Sequence, residues 1–295
     1  MSNLIKPQWK IYTPASRPPP DYNRILDLEK RILGVREFGT TKQRYDTSNF
    51  SEFWKIYSFF TRTTDEKQVV YQKLRDEVLD AAWKENGSMV DIGAGTGALS
   101  GKIAPNFRNC LLIERNSDNV RILEGFLKLR SRKPDAAPRI VVVNGSFPET
   151  KIEGKADFVY MGHMLYFQPR ETWMDSIRQA ETLVKDGGKL AITMHGDMGQ
   201  VSGMVELYEG RCDDIKGLAA KCISEFGAER VELHAVSTRH YAASGQGMRA
   251  VMGFFMLDTE AKFTEYQMAR QINDYLKNGR GFVITKYDKT IVIGK

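Results

Sequence analysis

From residue 88 to residue 195 short apolar runs alternate with helix-forming stretches, and this alternation restricts the fold more than any other feature of the chain. The apolar runs are "SMVDIGAG", "CLLIERN", "RIVVVNGSF", "ADFVYMGH" and "GKLAITMH"; among them stand "TGALSGKIA", "SDNVRILEGFLKLR" and "RETWMDSIRQAETLV". Strands that alternate with helices build a parallel sheet covered on both faces. Such strands need not alternate polar with apolar residues, which accounts for the nearly uninterrupted "IVVV" and "LAITM".

The flanks follow other rules. "RPPP" ends a stiff extended arm, Asp21 can cap a helix, and Ile25, Leu28 and Ile32, widened by Leu26 and Leu33, form its apolar face before Gly34 closes it. Phe50, Phe53, Trp54, Tyr57 and Phe60 recur at spacings of three and four, an aromatic helix face that core packing alone would explain. "DEKQVVYQKLRDEVLDAAW" reads as the next helix. Beyond His195, residues 197–230 read as largely helical, "RVELHAVSTRHYA" as a long strand, the residues from Met248 to Gly279 as helical, and "GFVITKYDKTIVIGK" as a hairpin turning around Tyr287 to Lys289. The expected architecture is therefore α/β: a doubly wound, mostly parallel sheet with a helical N-terminal cap and a smaller auxiliary insertion. Its expected units are an arm and cap over 1–50, a nucleotide-binding Rossmann-like domain over 51–196, a substrate-covering region over 197–285 that includes a late strand, and a terminal strand over 286–295.

A chain of 295 residues with 42% hydrophobic and 27% charged residues has enough apolar material for a core without staples. No apolar run approaches the roughly 20 residues that span a bilayer, and the first residues lack the apolar core of a secretory signal, so the expectation is a cytoplasmic protein with no membrane partner. Cys110, Cys212 and Cys222 have no metal-like spacing and cannot all pair, and are read as reduced. The net charge of +6 is spread among acids, "RSRKP" being the only short cluster, so a solvated surface is favoured over a nucleic-acid partner.

The first strand of the alternating region runs into "VDIGAGTG". Gly93, Gly95 and Gly97 let the backbone approach a ligand closely, because glycine tolerates unusual dihedrals and has no side chain in the way. With Ala98 the loop also satisfies the dinucleotide pattern Gly-x-Gly-x-x-Gly/Ala, and Glu114 follows Gly93 by 21 residues at the end of the next strand. That carboxylate suits ribose hydroxyls of either nucleotide. The loop alone leaves NAD and S-adenosylmethionine both open.

Asp91, two residues before the first glycine, and the Gly-x-Gly-x-Gly after it resemble motif I of the class I S-adenosylmethionine-dependent methyltransferases, as does a reversed terminal hairpin at the end of the sheet. The segments "FWKIYSFFTRTTDEKQ", "VDIGAGTGALS", "LIERNSDNVRIL", "DFVYMGHMLYFQPRETWMDSIRQAETLV", "AVMGFFMLD" and "KTIVIGK" resemble, in the same order, the histamine N-methyltransferase family from about residue 53 to the C-terminus. "HMLYF" carries the likeness furthest. The resemblance implies the seven-stranded sheet of the class I methyltransferases, a methyl donor, S-adenosylmethionine, and a small-molecule acceptor, most naturally a nitrogen nucleophile.

The resemblance also implies roles. Gly93, Gly95 and Gly97 would face the methionine and ribose of the donor, Glu114 the ribose hydroxyls, and Asn119 and Ser146 the adenosine. Asp91, not acidic in the histamine enzymes, matches the wider class, where it would contact the donor's ammonium. Phe53, Tyr57 and Glu66 match two aromatic groups and a glutamate around the acceptor amine, with Tyr166 as a further wall. His163 stands where the histamine enzymes have glutamine, and at a strand's C-terminal end it could accept the acceptor's proton as a catalytic base. Lys286 stands at a substrate-binding asparagine position and would favour an anionic acceptor over histamine. His195 and Asp197 make too poor a ligand set for a metal, and none is expected. The competing functions are an O-methyltransferase of a small metabolite, a peptide or nucleic-acid methyltransferase, and a donor-binding subunit without catalysis. The Asp/Asn-Pro-Pro-aromatic run of amino-methylating nucleic-acid enzymes is absent.

Overall fold

The structure is a computed structural model that describes residues 8–14, 20–33, 57–130, 138–202, 215–256 and 281–295. Phe50, Phe53, Trp54, Gly34 and most of the helical stretch expected after Met256 lie outside the described residues. Eight strands form one sheet in the order β1-β7-β8-β6-β5-β2-β3-β4. They are β1 (Lys10–Tyr12), β2 (Ser88–Ile92), β3 (Asn109–Glu114), β4 (Arg139–Asn144), β5 (Ala156–Gly162), β6 (Val184–Gly199), β7 (Val231–Ala242) and β8 (Phe282–Gly294). Strands β2 to β6 are parallel to their neighbours among themselves, β1 is parallel to β7, and β8 lies antiparallel between β6 and β7.

Two expectations need correction. The sheet has eight strands rather than seven, because Lys10–Tyr12 leaves the N-terminal arm to pair with His234–Val236. Three residues with an exposed Ile11 carry too little pattern to be read as a strand. The terminal segment is not a hairpin around Tyr287 to Lys289 but one continuous strand, β8, which begins at Phe282 rather than at residue 286. A tight hairpin needs residues that accept positive φ, such as Asn-Gly, and Tyr287-Asp288 offers neither. The charges that suggest a turn are buried: Lys286, Asp288 and Lys289 are each at most 1% exposed. Strand β6 likewise runs on to Gly199, past the residue where the helical auxiliary region was expected to start.

The described helices longer than five residues that carry the argument are α1 (Tyr22–Leu28), α2 (Glu66–Glu77), α3 (Ser117–Arg130), α4 (Trp173–Thr182), α5 (Ile215–Phe226) and α6 (Gly245–Met256). Asp21 caps α1 as expected, its carboxylate accepting from the amides of Asn23 at 2.7 Å and Arg24 at 3.2 Å, a device worth about 1 kcal/mol. The chain continues into a π-helical turn, Glu29–Leu33. Glu29 is buried there, and its Oε1 accepts from the amides of Ala243 at 2.6 Å and Ser244 at 3.1 Å, which ties the N-terminal cap to the start of α6.

The pleat distributes the core over two faces. On β2, Val90 and Ile92 join Ile113, Val159, Ile177, Leu190 and Ile291 on one side, whereas Met89 joins Leu74, Leu112, Phe158, Ala191, Val236 and Val292 on the other. Each fully buried aliphatic side chain contributes about 1.5–3 kcal/mol. The second face, on which α2 packs, also carries a polar stripe: His195 on β6, Lys286, Asp288 and Thr290 on β8, and His234, Thr238 and His240 on β7 lie at two-residue steps from its apolar members. That stripe becomes part of the site.

Lys73 on α2 is fully buried against this face, and its Nζ has no hydrogen-bond partner among the described residues. Burial pushes its ammonium down to about 7. A lysine lowered in this way weakens the fold most where both states are protonated, at and below about pH 7, and the penalty fades as pH rises toward the unfolded value near 10. Lys73→Met should therefore raise the melting temperature at neutral pH, by about 2 kcal/mol or more in stability, with a gain that shrinks between pH 7 and 10. Thermal melts across that range check it; a variant no more stable than the parent at pH 7 would contradict the assignment.

Candidate active site

The chain winds outward from β2 through β3 to β4 and then crosses to β5 on the other side of β2, so a switch point lies between β2 and β5. Ligands of open α/β sheets bind at the carboxyl ends of the strands beside such a point. The segments after β2 and β5 meet there: a Cβ built on Gly93 would lie 2.8 Å from Cβ of Met164.

On the β2 side, Gly93, Gly95 and Gly97 have φ of +78°, +57° and +77°, the left-handed region that glycine occupies without strain. The amides of Gly93 and Ala94 donate to the Ile113 carbonyl at 2.9 and 3.0 Å, which folds the loop over the end of β3. Glu114, at that end, accepts from the amides of Gly95 and Asn116, both at 2.8 Å. Each of its oxygens keeps a lone pair for a further donor. Asn119 sits on the first turn of α3, with Asn116 capping its amide at 3.2 Å, and the exposed Ser146 follows β4. Tyr57 hangs over the loop, its hydroxyl 3.5 Å from a Cβ built on Gly95, and burial raises its phenol. Asp91 is 3% exposed, beneath the loop, and accepts from Ser100 Oγ at 2.5 Å; burial pushes its carboxyl up to about 6. Asp91 thereby ties the end of β2 to Ser100 beyond the loop.

On the β5 side, α2, β6, β7, β8 and the residues next to α2 and β5 bring a cluster of polar side chains together. Lys286 Nζ donates to Glu66 Oε2 and to Asp288 Oδ1, both at 2.7 Å, and lies 3.0 Å from His195 Nδ1. Lys67 donates to Glu66 Oε1 at 2.5 Å and Thr238 to Asp288 Oδ2 at 2.7 Å. His163 Nε2 is 3.4 Å from Glu66 and 3.6 Å from Asp288, and neither of its ring nitrogens has a hydrogen-bond partner among the described residues. His240 Nε2 is 3.3 Å from Thr64 Oγ1 and 4.0 Å from Glu66. His163 has φ of +54°, a conformation that costs a non-glycine residue on the order of 1–3 kcal/mol and tends to persist where function needs it.

The charges explain the protonation states. Burial by itself would raise Glu66 and Asp288, but the Lys286 ammonium, with Lys67 at Glu66, holds both carboxyls well below the usual range. Burial lowers His163, His195 and His240, and Lys286 adds to that effect at His195 and His240. All three imidazoles are therefore neutral at pH 7. Glu66, Asp288, Lys286 and His240 have side chains no more than 2% exposed, whereas His163 and His195 retain 15% and 22%. The ionic group is thus a foundation, and the two half-open imidazoles are its surface. Tyr166 joins them, its ring stacked on His195 with centroids 5.3 Å apart and its hydroxyl accepting from the His195 amide.

The structure brings together Glu66, His163, Tyr166 and Lys286, and Tyr57 stands over the glycine loop; Phe53 lies outside the described residues. Lys286 requires a change of role. With two carboxylates on its ammonium, it has no surplus charge to select an anionic acceptor. His163, His195 and Asp288 hold ligand-type atoms within 4.8 Å of one another, and the Lys286 ammonium already contacts two of the three, Asp288 and His195. Asp197, the other half of the sequence pair with His195, is engaged elsewhere, by Lys289 and Lys216. Asp288, Thr238 and His240 escaped the sequence reading. Their signal was present, in the two-residue steps from Lys286 to Asp288 and from Thr238 to His240.

A family model described as a methyltransferase domain matches residues 66–229, more than half of the chain. The chain belongs to that family and is an S-adenosylmethionine-dependent methyltransferase. Among solved structures, a putative methyltransferase from Bacillus halodurans is 17% identical, with a TM-score of 0.49 over 75% of this chain and 96% of its own. The YcgJ protein of Bacillus subtilis is 13% identical, with a TM-score of 0.49 over 78% and 97%. Precorrin-6Y C5,15-methyltransferase of Geobacter metallireducens is 15% identical, with a TM-score of 0.44 over 76% and 86%. These likenesses are too remote to bear on the acceptor. No curated protein gives a significant match. No described helix is long and apolar enough to cross a membrane.

Proposed function

We propose that the enzyme methylates a nitrogen of a small molecule, with His163 as the group that takes up the acceptor's proton. The observation that carries this is the pair of neutral, half-open imidazoles, His163 and His195, on the β5 side of the switch point, joined to the glycine loop through Met164 and Gly93. The resemblance to histamine N-methyltransferases supports nitrogen over oxygen. The donor supplies a methyl group on a sulfonium. Gly93, Gly95 and Gly97 would let it lie against the backbone, Glu114 would take its ribose hydroxyls, and Asn119 and Ser146 would border the adenosine.

In-line displacement needs the acceptor nitrogen unprotonated and aligned. As the acceptor nitrogen bonds the methyl carbon, the methyl–sulfur bond of the donor would break to leave a neutral thioether, and the acceptor's N–H proton would pass to the bare nitrogen of the neutral His163 imidazole, whose ring nitrogens have no hydrogen-bond partner among the described residues and whose charge Glu66 and Asp288 would then offset. Tyr57, Tyr166 and Phe53 would wall the acceptor. Residues 197–285 and the N-terminal cap would cover it, around a donor-binding unit spanning 51–196.

Incubating the protein with methyl-labelled S-adenosylmethionine and a panel of primary amines, nitrogen heterocycles, phenols, peptides and RNA, with products identified by mass, tests the reading. The expected result is label on nitrogen of a small molecule, and a fall in kcat of roughly 10²–10⁴ in His163→Ala. Label found only on oxygen, peptide or RNA would defeat it.

A further inference from the structure

An ammonium in contact with an imidazole nitrogen dictates where that imidazole carries its proton. Lys286 Nζ has three hydrogens and no lone pair. It meets three acceptors: Glu66 Oε2 and Asp288 Oδ1 at 2.7 Å, and His195 Nδ1 at 3.0 Å. Nδ1 can take part only through its lone pair, so a neutral His195 holds its proton on Nε2. We infer that Lys286 is a positioning residue for methyl transfer, which locks His195 in the Nε2–H tautomer and so sets a fixed hydrogen-bond donor beside His163 in the acceptor site.

One contact opposes the lock. Asp288 Oδ1 lies 3.4 Å from the same Nδ1 and would favour a proton there. Lys286 is closer to both atoms, and its ammonium bridges them, which leaves Asp288 satisfied without a proton from the ring. The other groups around His195 are Glu66 and Lys67 from α2, His163 and Tyr166 from the end of β5, and His240 from β7. The ring plane is fixed as well as the proton, because His195 is bonded through its amide to Tyr166 and stacked on that ring. Lys286 sits behind with 2% of its side chain exposed, and His195 in front with 22%. Protonated, His195 would add a cation where a cationic donor must approach; the buried lysine keeps that from happening. The role in methyl transfer rests on the acceptor site proposed above, whereas the lock itself does not.

The test is nitrogen NMR of the full chain with ¹⁵N-labelled histidine. The chain has four histidines, so His→Gln variants assign every ring. At neutral pH His195 should be neutral with its proton on Nε2. In Lys286→Met that signature should be lost, replaced by an Nδ1–H form facing Asp288 or by a ring that titrates, while His234, bonded to Glu77 at the far end of α2, keeps its signals and reports an intact fold. If that variant does not fold, Lys286→Met combined with Asp288→Asn removes both charges and should release the tautomer likewise. A wild-type His195 that is Nδ1–H or imidazolium at neutral pH overturns the inference, as does an Nε2–H form unchanged in the variant. A protein that shows the lock but methylates no nitrogen compound keeps the lock and loses the acceptor reading.

Discussion

Asp288→Ala should cost about 3–5 kcal/mol of stability, the penalty for leaving a buried charge without its partner. Asp288 is fully buried on a central strand and accepts from Lys286 and Thr238. Without it, Lys286 and Lys67 would both rest on the Glu66 carboxylate, two ammonium groups on one carboxylate in the interior. Asp288→Asn keeps an acceptor for Thr238 and should lose less. Urea unfolding should give a lower midpoint with an unchanged slope. The pH dependence follows from the depressed carboxyls of Asp288 and Glu66. A carboxyl held below its unfolded value stabilises fully above that value, near pH 4, and the contribution drains away as pH falls further through the folded value. The gap between wild type and Asp288→Ala should thus be level from about pH 8 to 5 and close only below about pH 4. A loss under about 1 kcal/mol, or a gap that closes by pH 6, would mean that the cluster is not the ionic foundation described here.

How far the sequence revealed this arrangement depends on which physical signal each segment carries. Strands β2 to β6 were readable because "SMVDI" and "LAITM" are apolar runs bounded by glycine and because the helices between them keep a regular apolar face. The glycine loop was readable because only its residue types tolerate φ near +57° to +78°. Strand β8 was misread for the reason that makes it functional. Its Lys286 meets Glu66, 220 positions away, and His195, 91 positions away, and no local pattern announces a partner at that distance. The same holds for Glu66. Sequence suggests it as a carboxylate for the acceptor amine but not its lysine partners, one on each oxygen, one of them from the other end of the chain. What could be read locally was the face: Thr193 and His195, Lys286 and Asp288, and Thr238 and His240 are each two apart, so each pair shares a side of its strand. Polar pairs on three strands point to a buried polar site once those strands are known to be neighbours, and only the fold supplies that.

Two glycines of one loop should fail in different ways when they acquire side chains. A Cβ on Gly97 would lie 2.4 Å from Cδ1 of Leu123, a buried residue of α3, and Gly97 has φ of +77°. Gly97→Ala combines overpacking of about 1–3 kcal/mol with left-handed strain of about 1–2 kcal/mol, so its main effect is on stability. A Cβ on Gly95 meets nothing closer than the Tyr57 hydroxyl at 3.5 Å, and its side chain would project into the space over the loop proposed for the donor. Gly95→Arg should keep most of the fold, losing about 1–2 kcal/mol to its φ of +57°. Its affinity for S-adenosylmethionine should fall by about 100-fold or more, equivalent to about 2.7 kcal/mol. Calorimetric titration with S-adenosylmethionine and with NAD, set beside thermal melts, separates the two effects. Gly97→Ala should melt early yet bind the donor when cool, and Gly95→Arg should melt nearly as the parent and not bind. Equal donor affinity in Gly95→Arg and the parent would remove this loop from the donor site. NAD binding in place of S-adenosylmethionine would contradict the assignment of the loop to a methyl donor. Either result would remove the ground for reading the neutral imidazoles across the switch point as an acceptor site.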